Sequence, residues 1–181
     1  GAFGPATLPG NTYTITYTTP GNCPRNFTED VIVYTNGNAT ITPVSAVCND
    51  DAAFNLATVD AGGTWSGSVS STGVFDPTAY GPGSYWVHYD VAGNCPDADS
   101  IQITINEVFD GTITPAGPFC QVDLPQTLTA ASTGGTWSGT GIQSSSLGTF
   151  GSTTLAENLY TITYTTAGSC PRVFTENIQV Y

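Results

Sequence analysis

Tyr85-Trp86-Val87-His88-Tyr89-Asp90-Val91-Ala92-Gly93-Asn94-Cys95-Pro96 is written three times in a chain of 181 residues. It returns as Tyr13 to Pro24 and as Tyr160 to Pro171, where the strand portion reads Tyr-Thr-Ile-Thr-Tyr. Each copy alternates aromatic or β-branched residues with other side chains, then reaches a Gly-containing turn and a Cys-Pro pair. This is the pattern of a strand entering a hairpin.

The spacing of landmark residues gives a tandem period. Cys95 − Cys23, Cys120 − Cys48 and Trp137 − Trp65 are each 72, and Cys170 − Cys95 is 75, so the last copy carries a three-residue insertion. The expected organisation is a half repeat over 1–34, a complete repeat over 35–106 and another over 107–181. Ala2 and Phe3 align with Val74 and Phe75 and with Thr149 and Phe150, so the first copy matches only the second half of a repeat. With no methionine in the sequence, the chain reads as a processed form or an excerpt of a longer protein. The linkers around Asn36-Gly37 and Asp110-Gly111 are short and lack a long Gly/Ser or Pro run, which predicts a fairly stiff string of domains.

Composition limits what the repeat can be. About 39% of residues are apolar and 9% charged, with 21 Gly and 12 Pro, as in a turn-rich β protein. The formal charge is −12 and the two basic residues are Arg25 and Arg172, so nucleic acid and anionic lipid, which need Lys and Arg, are excluded as partners. No apolar run is long enough for a membrane-inserted helix. Without lysine, a Lys-Asn isopeptide cross-link cannot form.

Within a complete repeat the expected elements are strands: Phe54 to Val59, Gly62-Gly63-Thr64-Trp65-Ser66-Gly67 (again at Gly134 to Gly139), Gly73-Val74-Phe75, the Tyr85 strand, and a closing strand Ser100 to Ile105. In the last repeat the closing strand is Asn177 to Tyr181. Six or seven short strands in about 72 residues, without helical periodicity, predict an all-β fold of tandem antiparallel β-sandwich repeats. The predicted core is Trp65, Trp137, Tyr85, Tyr89, Tyr160 and Tyr164. A Trp 17 positions after the first Cys and a Gly-x-Tyr-x-Val-x-Tyr late strand are similar to an immunoglobulin sandwich with its tyrosine corner. The second Cys, however, follows the strand instead of lying in it, so the fold is Ig-like.

Five cysteines leave one over. Pairing within repeats joins Cys48 to Cys95 and Cys120 to Cys170, one disulfide per repeat, and assigns Cys23 a partner upstream of Gly1. A repeat of about 72 residues is small for a self-sufficient core, and closing a loop of about 48 residues contributes roughly 4 kcal/mol in the chain-entropy model. Disulfides imply an oxidising, extracellular setting. A metal or thiol-catalytic reading would want CxxC pairs or histidines at ligand spacing, and neither occurs.

The order Cys, Gly-Gly-Thr-Trp-Ser-Gly, Phe, Gly-x-Tyr-x-Ile-x-Tyr, Cys-Pro, Ile-x-Val resembles the tandem Ig-like repeats of large Bacteroidota cell-surface proteins, including gliding-motility adhesins. The resemblance covers essentially the whole chain. It implies export by type IX secretion and a place in long cell-surface stalks or adhesive fibres.

Chemistry-bearing patterns are few. His88 is the only histidine, and no nucleophile elbow or phosphate-cradling loop is present, so no enzymatic activity and no cofactor are expected. Asp50 and Asp51 are weak calcium candidates, but the matching segment after Cys120 keeps only Asp123. Asp97 and Asp99 become Arg172 and Phe174 in the last repeat, so these acids read as solvated turn formers. Thr14, Thr16 and Thr18, with Thr161, Thr163 and Thr165, line the outer face of their strands, where exposed β-propensity explains them better than ice binding. In the middle repeat that face instead carries Trp86 and His88, a contact to a neighbouring domain or a ligand-facing patch. Asp99-Ser100-Ile101 fits a bacterial O-glycosylation pattern. The expected function is a structural segment of a long extracellular adhesin or filament. Its partners are then neighbouring repeats, other filament subunits, glycans or surfaces. The alternative is a binding module that recognises glycan or protein through Trp86 and His88.

Overall fold

The computed structural model describes residues 2–181. The first copy of the repeated stretch forms β1 (Asn11–Thr18) and β2 (Asn26–Val33). The middle repeat supplies β3 (Val47–Cys48), β4 (Phe54–Asn55), β5 (Thr64–Gly67), β6 (Val74–Phe75), β7 (Gly83–Val91) and β8 (Asp97–Asn106). The last supplies β9 (Gln126–Thr127), β10 (Thr136–Ser138), β11 (Ile142–Ser144), β12 (Thr149–Phe150), β13 (Asn158–Thr165) and β14 (Val173–Val180). Two single 3-10 turns, Pro5–Thr7 and Pro77–Ala79, are the only helical elements among the described residues. The fold is an all-β, Ig-like sandwich arrangement, with sheets ordered β3-β8-β7-β5 and β4-β6, then β10-β13-β14 and β11-β12-β9, besides the β1-β2 hairpin.

The sequence period reappears as a period of pairing. The bridge Ile41↔Thr58 in the middle repeat becomes Ile113↔Ala130 in the last. The parallel pair Val47↔Ile105 becomes Phe119↔Val180. Trp65↔Tyr89 across β5 and β7 becomes Trp137↔Tyr164 across β10 and β13. Contacts group the described residues into two compact units that cut across this phase. One holds the segment ending at Pro43, Asn55–Phe75 and Trp86–Gln102; the other holds Val44–Phe54, Asp76–Tyr85 and Ile103–Tyr181.

The second unit has the larger core: Ile113, Leu128, Trp137, Phe150, Ile162, Tyr164, Ile178 and Val180. Of these, Ile162, Tyr164, Ile178 and Val180 follow the period-two alternation of β13 and β14, which turns one face of each strand inward. In the first unit Ala39, Ile41 and Tyr89 are buried, with Trp65, Val91 and Ile101 packed on them. The two Trp–Tyr pairs match closely, with ring centroids 4.5 Å apart at 46° and 4.6 Å apart at 45°. Each Tyr hydroxyl is doubly used. Tyr89 donates to the Asp60 carbonyl and accepts from Gly63 N–H, while Tyr164 donates to Ser132 and accepts from Gly135. Gly73 and Gly148 sit against the indole edges at φ +82° and +66°. A Cβ there would lie 2.6 and 2.7 Å from the indole nitrogens, so both the backbone and the packing require glycine.

Tyr85 and Tyr160 are half-buried. With Tyr13 they form a three-fold repeated corner, each hydroxyl donating to the carbonyl four residues earlier, at Pro9, Gly81 and Ala156. The β1-β2 hairpin shows what this strand pair lacks without a Trp-bearing strand against it. Tyr17 is 62% exposed, whereas its counterparts Tyr89 and Tyr164 are 2% and 1% exposed.

Three strand expectations change. Phe54 to Val59 is not one strand: it pairs only at Phe54–Asn55 and at the Thr58 bridge, and between them Leu56 N–H donates to the Gly73 carbonyl. The closing strands are longer than expected, Asp97–Asn106 and Val173–Val180, because the hairpins stay paired nearly to their turns.

The disulfide pairing also changes. The structure joins Cys48 to Cys170, with Cα atoms 5.8 Å apart, and leaves Cys23, Cys95 and Cys120 as free thiols. The expected pairs Cys48–Cys95 and Cys120–Cys170, one per repeat, do not form, and strand register gives the reason. In the last repeat Phe119 pairs with Val180 at the far end of β14, while Cys170 precedes the near end of that strand at Val173. Seven strand residues at about 3.3 Å each separate the two positions by more than 20 Å, and a cystine spans at most about 7 Å between Cα atoms. The middle repeat has the same register, with Val47 opposite Ile105 at one end of β8 and Cys95 before the other. A repeat's two cysteines therefore lie at opposite ends of its closing strand, too far apart to pair with each other.

Candidate functional site

Two places concentrate side chains that the fold alone does not need. The first is the cystine in the second unit. Cys48 ends the two-residue strand β3 and opens a tight turn in which Asp51 N–H donates to its carbonyl, while Cys48 N–H donates to an Asp51 carboxylate oxygen at 2.7 Å. The same turn recurs at Cys120, whose N–H donates to Asp123 at 2.6 Å. Cys170 lies in the β13-β14 hairpin. Thr166 N–H donates to the Arg172 carbonyl, and Arg172 N–H returns a bond to Thr166 Oγ1. This clamp holds Arg172 so that its guanidinium reaches Asp50 through two bonds, Nη2 to Oδ1 at 2.6 Å and Nε to Oδ2 at 3.3 Å. Both side chains are more than a third exposed, so the pair adds only about 0.5 kcal/mol. The cross-link and the ion pair thus both join the head of the middle repeat to the hairpin of the last.

That geometry also assigns the calcium candidates. Ligand atoms of Cys48, Asp50 and Asp51 lie within 4.8 Å of one another. The sulfur is half of a cystine, Asp51 is occupied by the Cys48 N–H, and Asp50 by Arg172. Each group already has a structural partner.

The second place is the outer face of β7. Val87 is fully buried and Trp86 is 52% exposed, as strand alternation requires. The Trp86 and His88 rings stack with centroids 6.3 Å apart and 10° between planes. His88 Nδ1 bonds the Ser100 hydroxyl at 2.7 Å, which fixes the ring from β8, and Ser66 of β5 is its partner on the other side. A flat aromatic shelf bordered by hydroxyl groups results. Thr161, at the position of Trp86 in the last repeat, instead bonds Asn177 across its hairpin.

Asp97 and Asp99, expected to be solvated turn formers, are instead engaged by the backbone. Both carboxylates accept backbone N–H groups of the head segment, from Ala39 and Ile41, each at 2.8 Å. They complete the donors of a segment that has only one ladder bridge. Their replacement by Arg172 and Phe174 in the last repeat was the visible signal that they serve one repeat only. Asp110 caps the next head segment: it accepts from Thr112 Oγ1 and N–H, and these bonds, the side-chain one foremost, hold its carboxyl below the usual aspartate range.

No helix among the described residues is long and apolar enough to cross a membrane. No known protein family matches the chain, and no curated protein matches it. Among solved structures it resembles the protocadherin gamma B4 extracellular domain, at 14% identity and a TM-score of 0.35, covering 99% of this chain and 41% of that one. It also resembles mouse clustered protocadherin gamma C3 repeats EC1–3, at 14% and 0.36, covering 96% and 77%. Mouse cadherin-23 repeats EC22–24 follow, at 15% and 0.33, covering 94% and 74%. These are likenesses in strand architecture alone.

Proposed function

We propose that the chain is a structural segment of a long extracellular cell-surface adhesin or filament, in which tandem Ig-like repeats over 35–106 and 107–181 set length and stiffness. The observation that carries this reading is the Cys48–Cys170 cystine, because it covalently ties the head of one repeat to the hairpin of the next. A cross-link between successive repeats resists bending and pulling at the junction, which a cross-link inside each repeat would not. A stable cystine belongs to an oxidising compartment, and the net charge of −12 keeps such a surface away from nucleic acid and anionic membranes. The sequence resemblance adds gliding motility, type IX secretion and a Bacteroidota source to the proposal. Its partners are neighbouring repeats and other filament subunits.

Limited trypsin digestion tests the reading, since the chain has only two cleavage sites. Arg25 lies in an exposed hairpin, while Arg172 is held by the cystine two residues away and by Asp50. Under oxidising conditions cutting at Arg25 is expected first, with cutting at Arg172 slowed at least tenfold and released by reductant. Equal rates at both sites in the oxidised chain would refute the locked junction.

The Trp86–His88 shelf supports a second reading, recognition of glycan or protein by the middle repeat. A flat exposed indole beside hydroxyl groups suits stacking of a sugar face. Trp86→Thr should then abolish binding to a panel of neutral oligosaccharides while leaving the melting curve in place. Unchanged binding removes this reading.

A further inference from the structure

We propose that the outer face of β7 takes a straight, uncharged, β-linked oligosaccharide lying along the strand, with Trp86 and His88 as two successive stacking positions and the Gln102 amide bonding its hydroxyls. This assignment rests on the recognition reading of the shelf and gives it a ligand class and a direction. The bonds Ser84–Thr104 and His88–Ser100 set β7 and β8 antiparallel, in the register that places Gln102 opposite Trp86. In the other two copies the same place holds Thr14 opposite Asp30 and Thr161 opposite Asn177. There the hydroxyl donates across the ladder to the carboxylate or amide oxygen, at 2.6 and 2.8 Å. In the middle repeat an indole replaces the hydroxyl, and the exposed Gln102 amide keeps its donors and its acceptor for a ligand.

Trp86 and His88 are two residues apart on one strand, so their rings follow one another along it, with 6.3 Å between centroids and 10° between planes. That step is comparable to the length of one pyranose unit. A ligand with a single stacking group uses one ring, whereas a straight chain of all-equatorial pyranoses, each with a face of C–H groups, uses both. His88 is held through Nδ1 by the Ser100 hydroxyl, with Ser66 opposite it on β5, so its ring needs little further ordering on binding and Nε2 is the nitrogen left for a ligand. The shelf residues all belong to the first compact unit.

Charge selects among such chains. The two bases of the protein, Arg25 and Arg172, lie on other hairpins, while the next outward residue along β7 after His88 is the exposed Asp90. With a net charge of −12 behind it, this face repels chains built from uronic acids or carrying sulfate and accepts uncharged ones.

The experiment titrates the full chain calorimetrically with glucose, with cello-oligosaccharides of increasing length, with malto-oligosaccharides, whose linkage curves the chain off a flat shelf, and with β-1,4-oligoglucuronates. The second cello unit should tighten binding about tenfold, the contribution of one further stacked ring. Malto-oligosaccharides should show no such gain, and oligoglucuronates should bind at least about tenfold more weakly than the neutral chain at low salt. His88→Thr should remove the gain from the second unit and leave the Trp86-dependent binding, while Gln102→Ala should weaken binding about threefold to tenfold, as for one hydrogen bond. Trp86→Thr should abolish it. Both threonines are the residues that the last repeat carries at these positions, Thr161 and Thr163, so the melting curves should stay in place. Equal affinity for glucose and the longer cello chains, a gain kept in His88→Thr or shared by malto chains, or oligoglucuronate bound as tightly overturns the extended neutral ligand. If Trp86→Thr still abolishes binding in that case, the recognition reading stands without it. Binding to no member of the series, or binding untouched by Trp86→Thr, removes this inference and the glycan reading together.

Discussion

Replacing Cys48 by serine removes the cystine at the less buried of its two ends, and the loss can be worked out from the structure. The bond closes a loop of 122 residues, for which the chain-entropy model gives about 5 kcal/mol of stabilisation. Asp50 and Arg172 remain, but their exposed pair restores about 0.5 kcal/mol at best. The loss falls on the second compact unit, which contains both cysteines and Trp137. Urea unfolding followed by fluorescence should move that unit's midpoint down by about 2 M or more, since denaturant slopes for domains of this size are about 1–3 kcal/mol/M. Cys170→Ser should cost the same and about 1 kcal/mol more, because Cys170 is 1% exposed and a hydroxyl there has to be desolvated. The double variant should match Cys170→Ser alone, since one bond can be lost only once. Cys95→Ser and Cys120→Ser, which touch free thiols, should stay within about 0.5 kcal/mol of the parent. If Cys95→Ser destabilised the protein as much as Cys48→Ser, the register argument for cross-repeat pairing would be refuted.

Tyr164→Phe removes a hydroxyl that satisfies both the Ser132 carbonyl and the Gly135 N–H, so the second unit should lose about 1–3 kcal/mol by urea titration, with Tyr89→Phe giving a similar loss in the first. The Asp110 carboxyl should titrate below the ordinary aspartate range by NMR, and Thr112→Val should raise it toward that range. Because the folded-state value is depressed, its contribution is present above the unfolded-state value and is lost as pH falls through the folded one.

The strand framework was legible because its signals are local and written more than once. Tyr-x-Ile-x-Tyr sets an inward face, Gly-Gly-Thr-Trp-Ser-Gly supplies the indole that covers it, and the 72-residue spacing states that the unit recurs. The outward placement of Trp86 followed from the same alternation. Strands of two residues, such as β4 and β12, leave no periodic trace and were legible only in part. The cystine was not legible, because pairing within a repeat and pairing with the next repeat satisfy the same period. One leaves a single cysteine over and the other leaves three, and the parallel contact of β3 with the end of β8 decides between them. A faint signal did exist in the charges. Asp50 becomes Val122 one repeat later and Arg172 is Asp97 in the middle repeat, so the acid and the base that meet here are not both kept at the equivalent positions of the next and the previous repeat.

Stretching single molecules between the two chain ends, with and without reductant, tests the inter-repeat staple most directly. A fully extended chain of 181 residues reaches about 630 Å, and a bond spanning 122 residues withholds about 430 Å of it, so the oxidised molecule should stop near 200 Å until reductant releases the rest in one step. An oxidised molecule that reaches about 300 Å and releases its remainder in two steps would place the cystines inside the repeats, and one that reaches full length before reduction would show that no staple exists.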